Sequence, residues 1–130
     1  MNKTYYYLLI MGILSILLAA CYASNEIHSV TPDEFEKGLS SEGVQLLDVR
    51  TADEYSEGHL ATAINIDVTS PDFLQQASST LSKEDKVYLY CRSGKRSLKA
   101  AQLLTKEGYQ VVNLKTGILG WISAGKPVTK

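Results

Sequence analysis

Apolar residues along the chain follow two spacings, short runs that suit buried strands and a helical repeat that suits amphipathic helices. The segment 44–49 is almost continuously apolar, which predicts a strand buried on both faces of a parallel sheet. Similar runs predict three more strands, over 63–66, 86–90 and 109–114. Strands of this kind need helices on both faces of the sheet to cover them.

Helix signals lie between these runs. Residues 31–34 combine an N-cap threonine, a proline at the first helical position and a capping-box glutamate, and predict a helix that ends near Gly43. Thr51 and Glu54 form a second capping box over a short helix that ends in a turn at Gly58. Further helices are predicted over 70–78, 96–107 and 118–124. This alternation predicts an α/β domain with a mainly parallel sheet, which binds ligands at the carboxyl ends of its strands.

Residues 1–20 are predicted to be a signal peptide. Lys3 is the only early charge, an apolar run follows over 5–20, and small residues precede Cys21. As a helix, this run is roughly 24 Å long, short of the roughly 30 Å hydrocarbon core of a bilayer. A cleaved leader therefore explains the run better than a spanning anchor.

The end of this leader, Leu18-Ala19-Ala20-Cys21, resembles the bacterial lipobox, in which the leader is cut before the cysteine and the thiol receives a lipid. The motif predicts an exported protein of the bacterial cell envelope, facing the periplasm and held at the membrane only by the lipid on Cys21. Residues 21–26 would form a tether, and residues 27–130 the folded domain. An ordinary cleavage site with an incidental cysteine is the alternative.

Composition and charge narrow the possible ligands. Apolar residues make up 45% of the chain and charged residues 21%, as in soluble globular proteins. Acidic residues outnumber basic ones over 22–82, and basic residues dominate over 83–130. Because the cations cluster around 92–99 instead of covering a whole face, we expect a small anionic ligand and no nucleic acid. The two histidines lie far apart, so no metal-site spacing is present, and no cofactor is expected.

Of the two cysteines, Cys91 would be left unpaired in an exported protein if Cys21 is lipidated. Cys91 lies between a predicted strand and a predicted helix. A tight loop there turns backbone N–H groups inward, and the helix dipole adds positive potential, so the thiolate is favoured. Gly94 gives the loop backbone freedom. Three cations are expected to lower the pKa of the thiol further, namely Arg92, Lys95 and Arg96. A buried inert cysteine, the simpler alternative, would not need them.

The chain closely resembles the rhodanese sulfurtransferases in one loop, Cys91-Arg92-Ser93-Gly94-Lys95-Arg96-Ser97. Further segments agree with that family in order and spacing: 46–50, 54–55 with 58–60, 63–66 and 117–121. The resemblance implies a three-layer α/β fold, with a mainly parallel five-stranded sheet and helices on both faces. Thr62 and Thr116 stand where the family often has glycine, and threonine does not easily take a positive φ.

The activity that this resemblance implies is sulfur transfer. In the family, the cysteine takes a sulfane sulfur from an anionic donor such as thiosulfate and becomes a persulfide. It then passes the sulfur to cyanide or a thiol, and a partner protein could supply that thiol. The resemblance implies a set of substrate-binding residues, namely Arg92, Ser93, Gly94, Lys95, Arg96 and Ser97, whose amides would cradle the outer sulfur. Arg92 and Lys95 would attract the donor, whereas Arg96 would either steer anions or brace the loop.

Three further residues invite an acid–base interpretation, namely Asp48, Arg50 and His59. We prefer supporting roles, because nothing in the sequence places them within hydrogen-bond reach of Cys91. Asp48 and Arg50 are expected to anchor loops, with Arg50 paired to Asp53 or Glu54. His59 is expected to hold a turn.

Two alternative functions stay open. A phosphatase or arsenate reductase would use a Cys-x5-Arg loop, whereas Arg96 follows Cys91 after four residues and Ser97 takes the next place. The shorter loop favours a sulfur atom over a phosphate, because all its amides must converge on one centre. The second alternative is a module that binds a partner protein, as a persulfide relay or without catalysis. The intact cysteine and its cations argue against the module without catalysis.

Overall fold

The computed structural model describes residues 2–12 and 27–130. One sheet holds the strands β1 (His28–Val30), β2 (Gln45–Asp48), β3 (Ile64–Asn65), β4 (Val87–Tyr90) and β5 (Val111–Leu114). The strand order is β1-β5-β4-β2-β3, and every neighbouring pair is parallel. The predicted α/β class and the parallel five-stranded sheet are therefore confirmed.

The helices between these strands are α1 (Pro32–Leu39), α2 (Ala52–Glu57), α3 (Phe73–Thr80), α4 (Lys95–Lys106) and α5 (Gly117–Ser123). Residues 3–12 are helical as well. The predicted end of the first helix near Gly43 is wrong, because the chain leaves α1 at Ser40 and Gly43 lies in the next turn with φ +70°. The start of α3 is later than predicted, because the N–H of Ser70 donates to the carbonyl of Asp67 (3.1 Å) and closes a separate turn.

Strand β1 has no counterpart among the predicted strands. His28 and Ser29 are polar and exposed, and β1 lies at the edge of the sheet beside β5. Because an edge strand is partly solvated, it needs no continuous apolar run and leaves no such signal in the sequence.

Helices cover both faces of the sheet, each over its own apolar cluster. One face packs Leu47 and Leu89 against α3 and α4, where Leu104 of α4 is fully buried. The other face packs its apolar side chains against α1 and α5, including Phe35 and Trp121. Burial of such side chains stabilises the fold by about 1.5 to 3 kcal/mol each, and it holds the carboxyl ends of β2 and β4 side by side.

The two threonines at expected glycine positions behave differently. Thr62 takes a φ of +69°, in the left-handed region that favours glycine. Thr116 has an ordinary φ of −97°, and the positive φ of 64° falls on Gly117. The turn before β3 therefore keeps a glycine-like shape with a threonine, at a cost of about 1 kcal/mol or more.

The predicted lipobox and Cys21 lie outside the described residues, as does the whole of the predicted tether, residues 21–26. In residues 2–12 and 27–130, no helix has the length and apolar character needed to cross a membrane.

Candidate active site

Cys91 lies directly after β4, at the carboxyl edge of the sheet, and α4 begins four residues later. Gly94 between them has φ +103°, and a Cβ at this position would lie 2.1 Å from the carbonyl oxygen of Lys115. Gly117 approaches the loop equally closely, since its Cβ would lie 2.3 Å from the carbonyl oxygen of Arg92. Only glycine fits both positions, and together they let the loop curl tightly around the Cys91 sulfur.

Hydrogen bonds within the loop hold the Cys91 sulfur. The N–H of Gly94 donates to Sγ (3.1 Å), the thiol donates to the Oγ of Ser97 (3.3 Å), and that hydroxyl donates to the carbonyl of Gly94 (3.1 Å). Burial raises the pKa of Cys91, but bonding with the Ser97 side chain and with the N–H groups of Ser97, Gly94 and Ser93 lowers it more. The net pKa of Cys91 lies below its ordinary value, as the sequence predicted. The main cause is these hydrogen bonds, whereas the prediction also invoked the three neighbouring cations.

Arg96 braces this loop through an ion pair with α2. Its Nη1 and Nη2 donate to the Oε1 and Oε2 of Glu54 at 2.7 and 2.8 Å. Hydrogen bonding from Arg96, with further bonds from Thr51, lowers the pKa of Glu54 to about 2 despite the opposing effect of burial. The predicted capping box of Thr51 and Glu54 is confirmed. This ion pair is the contact that the bracing role of Arg96 requires, and anion steering by Arg96 stays a prediction.

Arg50 pairs with Asp48, so its predicted pairing with Asp53 or Glu54 is wrong. Its Nε lies 3.0 and 3.1 Å from the two carboxylate oxygens, and its Nη2 lies 2.7 Å from Oδ2. Residues two apart in an extended chain point the same way, which favours Asp48 over acids in the following helix. The same Nη2 donates to the carbonyl of Gly58 (2.7 Å). The pair therefore anchors the turn after α2, in the loop-anchoring role that the sequence predicted.

The family is shown by comparison with known proteins. The family model of the rhodanese-like domain matches residues 31–124. The chain belongs to the rhodanese family.

Curated relatives of this rhodanese-family chain include proteins named as sulfurtransferases. The chain is 39% identical over 104 residues to thiosulfate sulfurtransferase 18 of Arabidopsis thaliana, which covers 71% of this chain and 76% of that protein. It is 35% identical over 105 residues to a sulfurtransferase of Allochromatium vinosum, covering 80% and 94%. Some relatives are longer, and the chain spans only 65% of the senescence-associated protein DIN1 of Raphanus sativus.

Solved structures show the same fold. The crystal structure of a rhodanese-related protein from Thermoplasma volcanium matches with a TM-score of 0.69 and 28% identity. The match covers 78% of this chain and 97% of that chain. The fold of this chain is therefore that of rhodanese-like structures.

His59 holds a turn of this domain, as predicted. Its ring stacks on Tyr55 with centroids 3.7 Å apart, and its Nδ1 lies 2.9 Å from the Tyr55 carbonyl oxygen. Its backbone forms an antiparallel bridge with Thr129 near the chain end. Sequence interpretation missed two side chains that support the same region. They are Tyr90, whose hydroxyl accepts from the N–H of Leu60 (3.0 Å), and Asn65, whose amide donates to the carbonyl of Arg50 (2.8 Å).

Ser97 has a testable effect on the Cys91 thiol. Because bonding with the Ser97 side chain lowers the pKa of Cys91, Ser97→Ala is expected to raise that pKa and move thiolate formation to higher pH. A pH titration of thiolate absorbance or of alkylation rate measures the shift. Ser93→Ala is the matched control, because Ser93 is exposed and contributes its backbone N–H, which the substitution keeps. Equal midpoints for the two variants would contradict the assignment.

Proposed function

We propose that this rhodanese-family chain transfers a sulfane sulfur through a persulfide on Cys91. In the first half-reaction, the Cys91 thiolate attacks the outer sulfur of thiosulfate. A new sulfur–sulfur bond forms on Cys91, and sulfite leaves with the electron pair of the broken bond. In the second half-reaction, cyanide or a thiolate attacks that outer sulfur. The sulfur–sulfur bond of the persulfide breaks, and its electron pair stays on Cys91, which becomes a thiolate again.

The observation that carries this proposal is the set of hydrogen bonds around Sγ. The Gly94 amide donates to Sγ at 3.1 Å, and hydrogen bonding with the Ser97 side chain, 3.3 Å away, and with the neighbouring backbone N–H groups lowers the pKa of the thiol. The same curled loop offers amides to the terminal sulfur of a persulfide, as preorganised donors do for a developing anion. The relatives named as sulfurtransferases support the same reaction class.

The ion pair of Arg96 disfavours a phosphatase or arsenate reductase. Such an enzyme needs an arginine that is free to bind a tetrahedral oxyanion, with two guanidinium nitrogens donating to the substrate. Both terminal nitrogens of Arg96 donate to Glu54 instead. Arg92 and Lys95 are exposed positions of the loop itself, and their positive charges would attract an anionic donor.

The proposal is tested by incubating the purified full-length chain with thiosulfate and cyanide. We expect thiocyanate to form with turnover, and thiosulfate alone to add one sulfur atom to Cys91, seen by mass spectrometry of the intact chain. Absence of both thiocyanate and the sulfur-loaded form would overturn the proposal. Sulfur loading without cyanide turnover would instead favour a relay that delivers its sulfur to a partner protein.

Arg92 and Lys95 are proposed to attract the anionic donor. Because thiosulfate carries two negative charges, the double variant Arg92→Ala with Lys95→Ala is expected to raise the KM for thiosulfate about 5- to 20-fold at low salt. Added salt is expected to affect this variant less than the wild type. Lys86→Ala with Lys106→Ala removes the same charge from exposed positions away from the loop. An equal KM change in both double variants would contradict local steering.

The lipid anchor is proposed from the lipobox alone. If Cys21 carries the lipid, Cys21→Ser is expected to leave an unacylated precursor, while Cys91→Ser leaves membrane attachment unchanged. Mass spectrometry of the mature N-terminus measures this. An unmodified N-terminus at Tyr22 or Ser24 would refute lipidation, and a retained Met1 would refute the signal peptide.

A further inference from the structure

A cleft of about 260 Å³ lies between α2 and α5, beside the Cys91 loop. Its apolar lining includes three unusually exposed side chains, Leu119 (43%), Ile122 (50%) and Val128 (42%). Sulfur transfer to cyanide needs no apolar surface, so the reaction proposed above leaves these three residues unexplained.

The cleft adjoins the loop that holds the reactive sulfur. The N–H of Ile118 donates to the carbonyl of Cys91 (2.9 Å), and the N–H of Leu119 donates to the carbonyl of Arg92 (3.1 Å). Arg92 itself lines the cleft. A ligand lying in the cleft therefore contacts Arg92, the residue that follows Cys91 in the loop.

Two of the four charged residues that line the cleft are already neutralised. Arg50 pairs with Asp48, and Glu54 pairs with Arg96. The other two are Arg92 and Glu57, both exposed, and neither has an ion-pair partner within the part of the chain that the structure describes. Counted over the described residues, the cleft therefore offers one cation and one anion without an ion-pair partner, over an apolar surface.

We propose that this cleft binds the sulfur acceptor, and that the acceptor is a short peptide thiol with free termini and an apolar side chain. Its carboxylate would pair with Arg92, its ammonium with Glu57, and its apolar side chain would cover Leu119 and Ile122. The volume lies near the lower end of the roughly 300–1,000 Å³ range of small-molecule sites, which fits a ligand of a few residues. A nucleotide would need more cations, and a lipid chain would leave both charges unpaired.

This inference deepens the proposed function and rests on it for the transfer step. The thiolate of the bound peptide would attack the outer sulfur of the Cys91 persulfide. A sulfur–sulfur bond forms on the peptide, and the bond to Cys91 breaks with its electron pair returning to Cys91. The product is a peptide persulfide, and Cys91 is ready for another donor. Holding the peptide beside the loop makes this attack effectively intramolecular.

The binding test uses S-methylated Leu-Cys-Gly, which cannot accept sulfur, titrated at low salt into the purified full-length chain by calorimetry. We expect acetylation of its N-terminus to weaken binding to the wild type about fivefold and to leave binding to Glu57→Gln unchanged. Amidation of its C-terminus is expected to weaken binding to the wild type about fivefold and to leave binding to Arg92→Ala unchanged. A wild type that binds none of these peptides overturns the inference, as does a Glu57→Gln variant that still discriminates fivefold.

The apolar contact has its own matched controls. Ile122→Ser is expected to lose the preference for Leu-Cys-Gly over Ser-Cys-Gly, whereas Leu98→Ser keeps it. Leu98 is similarly exposed (41%) but lies on α4, outside the cleft lining. Glu42→Gln likewise controls for Glu57→Gln, since Glu42 is exposed at a different cavity. Equal losses in Ile122→Ser and Leu98→Ser overturn the inference.

Transfer kinetics separate this inference from the proposed function. With sulfur-loaded protein and unmodified Leu-Cys-Gly, the KM for the peptide is expected to rise in the variants that weaken peptide binding, Glu57→Gln, Arg92→Ala and Ile122→Ser. A chain that binds the S-methylated peptides in this pattern but never loads sulfur supports the cleft and overturns the sulfurtransferase proposal. A chain that loads sulfur and turns over with cyanide, yet shows no dependence on Glu57 or Ile122 with peptides, overturns the cleft alone.

Discussion

Replacing Cys91 by alanine is expected to abolish thiosulfate:cyanide sulfur transfer, lowering turnover by roughly three orders of magnitude or more, to the uncatalysed background. In the proposed mechanism the transferred sulfur is bound covalently to Cys91, and no other thiol among the described residues could carry it. Cys91 is the only free cysteine among the residues that the structure describes. The assay measures thiocyanate, and intact-mass analysis of the same variant is expected to show no added sulfur after thiosulfate treatment.

The loss of turnover in Cys91→Ala is expected to come from the missing thiolate and not from unfolding of the variant. Removing the Sγ atom leaves a small cavity in a buried site, which costs about 1 kcal/mol or slightly more, well below the stability of a typical domain. Thermal unfolding of Cys91→Ala is therefore expected to stay cooperative. Cys21→Ser removes the other cysteine of the chain and is expected to retain turnover in detergent extract. Undiminished turnover in Cys91→Ala would refute the mechanism.

The second large effect is expected at Asp48, the fully buried partner of Arg50. Burial lowers the pKa of Arg50, but hydrogen bonding and the charge of Asp48 raise it more, so the guanidinium stays charged. Asp48→Ala leaves this buried charge without its carboxylate, which is expected to cost about 3 to 5 kcal/mol of unfolding free energy. Urea unfolding of the purified variant measures the loss, and activity is expected to fall as the unfolded fraction grows.

Asp53→Ala is the matched control, because Asp53 is exposed and was one of the two partners that the sequence suggested for Arg50. Its unfolding free energy is expected to stay within about 0.5 kcal/mol of the wild type. A double variant with leucine at both Asp48 and Arg50 is expected to be more stable than Asp48→Leu alone, since it removes the unpaired charge. Equal losses from Asp48→Ala and Asp53→Ala would show that the buried pair does not anchor the fold.

Features that depend on neighbours in the chain could be predicted from sequence. The capping box of Thr51 and Glu54 marked α2, and the apolar run before Cys91 marked β4. The cysteine loop could also be predicted, because the groups that hydrogen-bond to the Cys91 sulfur lie within seven consecutive residues. Those residues must curl between a strand and a helix. Short-range spacing determines such features, since the strand and helix repeats place neighbours on known sides.

Contacts between distant segments were decided only by the tertiary structure. The sequence left Arg96 two roles and named no partner for it. The tertiary structure brings Glu54, 42 residues away, within hydrogen-bond distance of its guanidinium. It also placed Glu57, Arg92 and Ile122 around one cleft, although each belongs to a different segment. The physical reason is the strand order, which sets β2 beside β4 and so brings the segments after both strands to the same edge of the sheet. Apolar spacing predicts that strands exist, but the order in which they pair depends on the packing of the whole core.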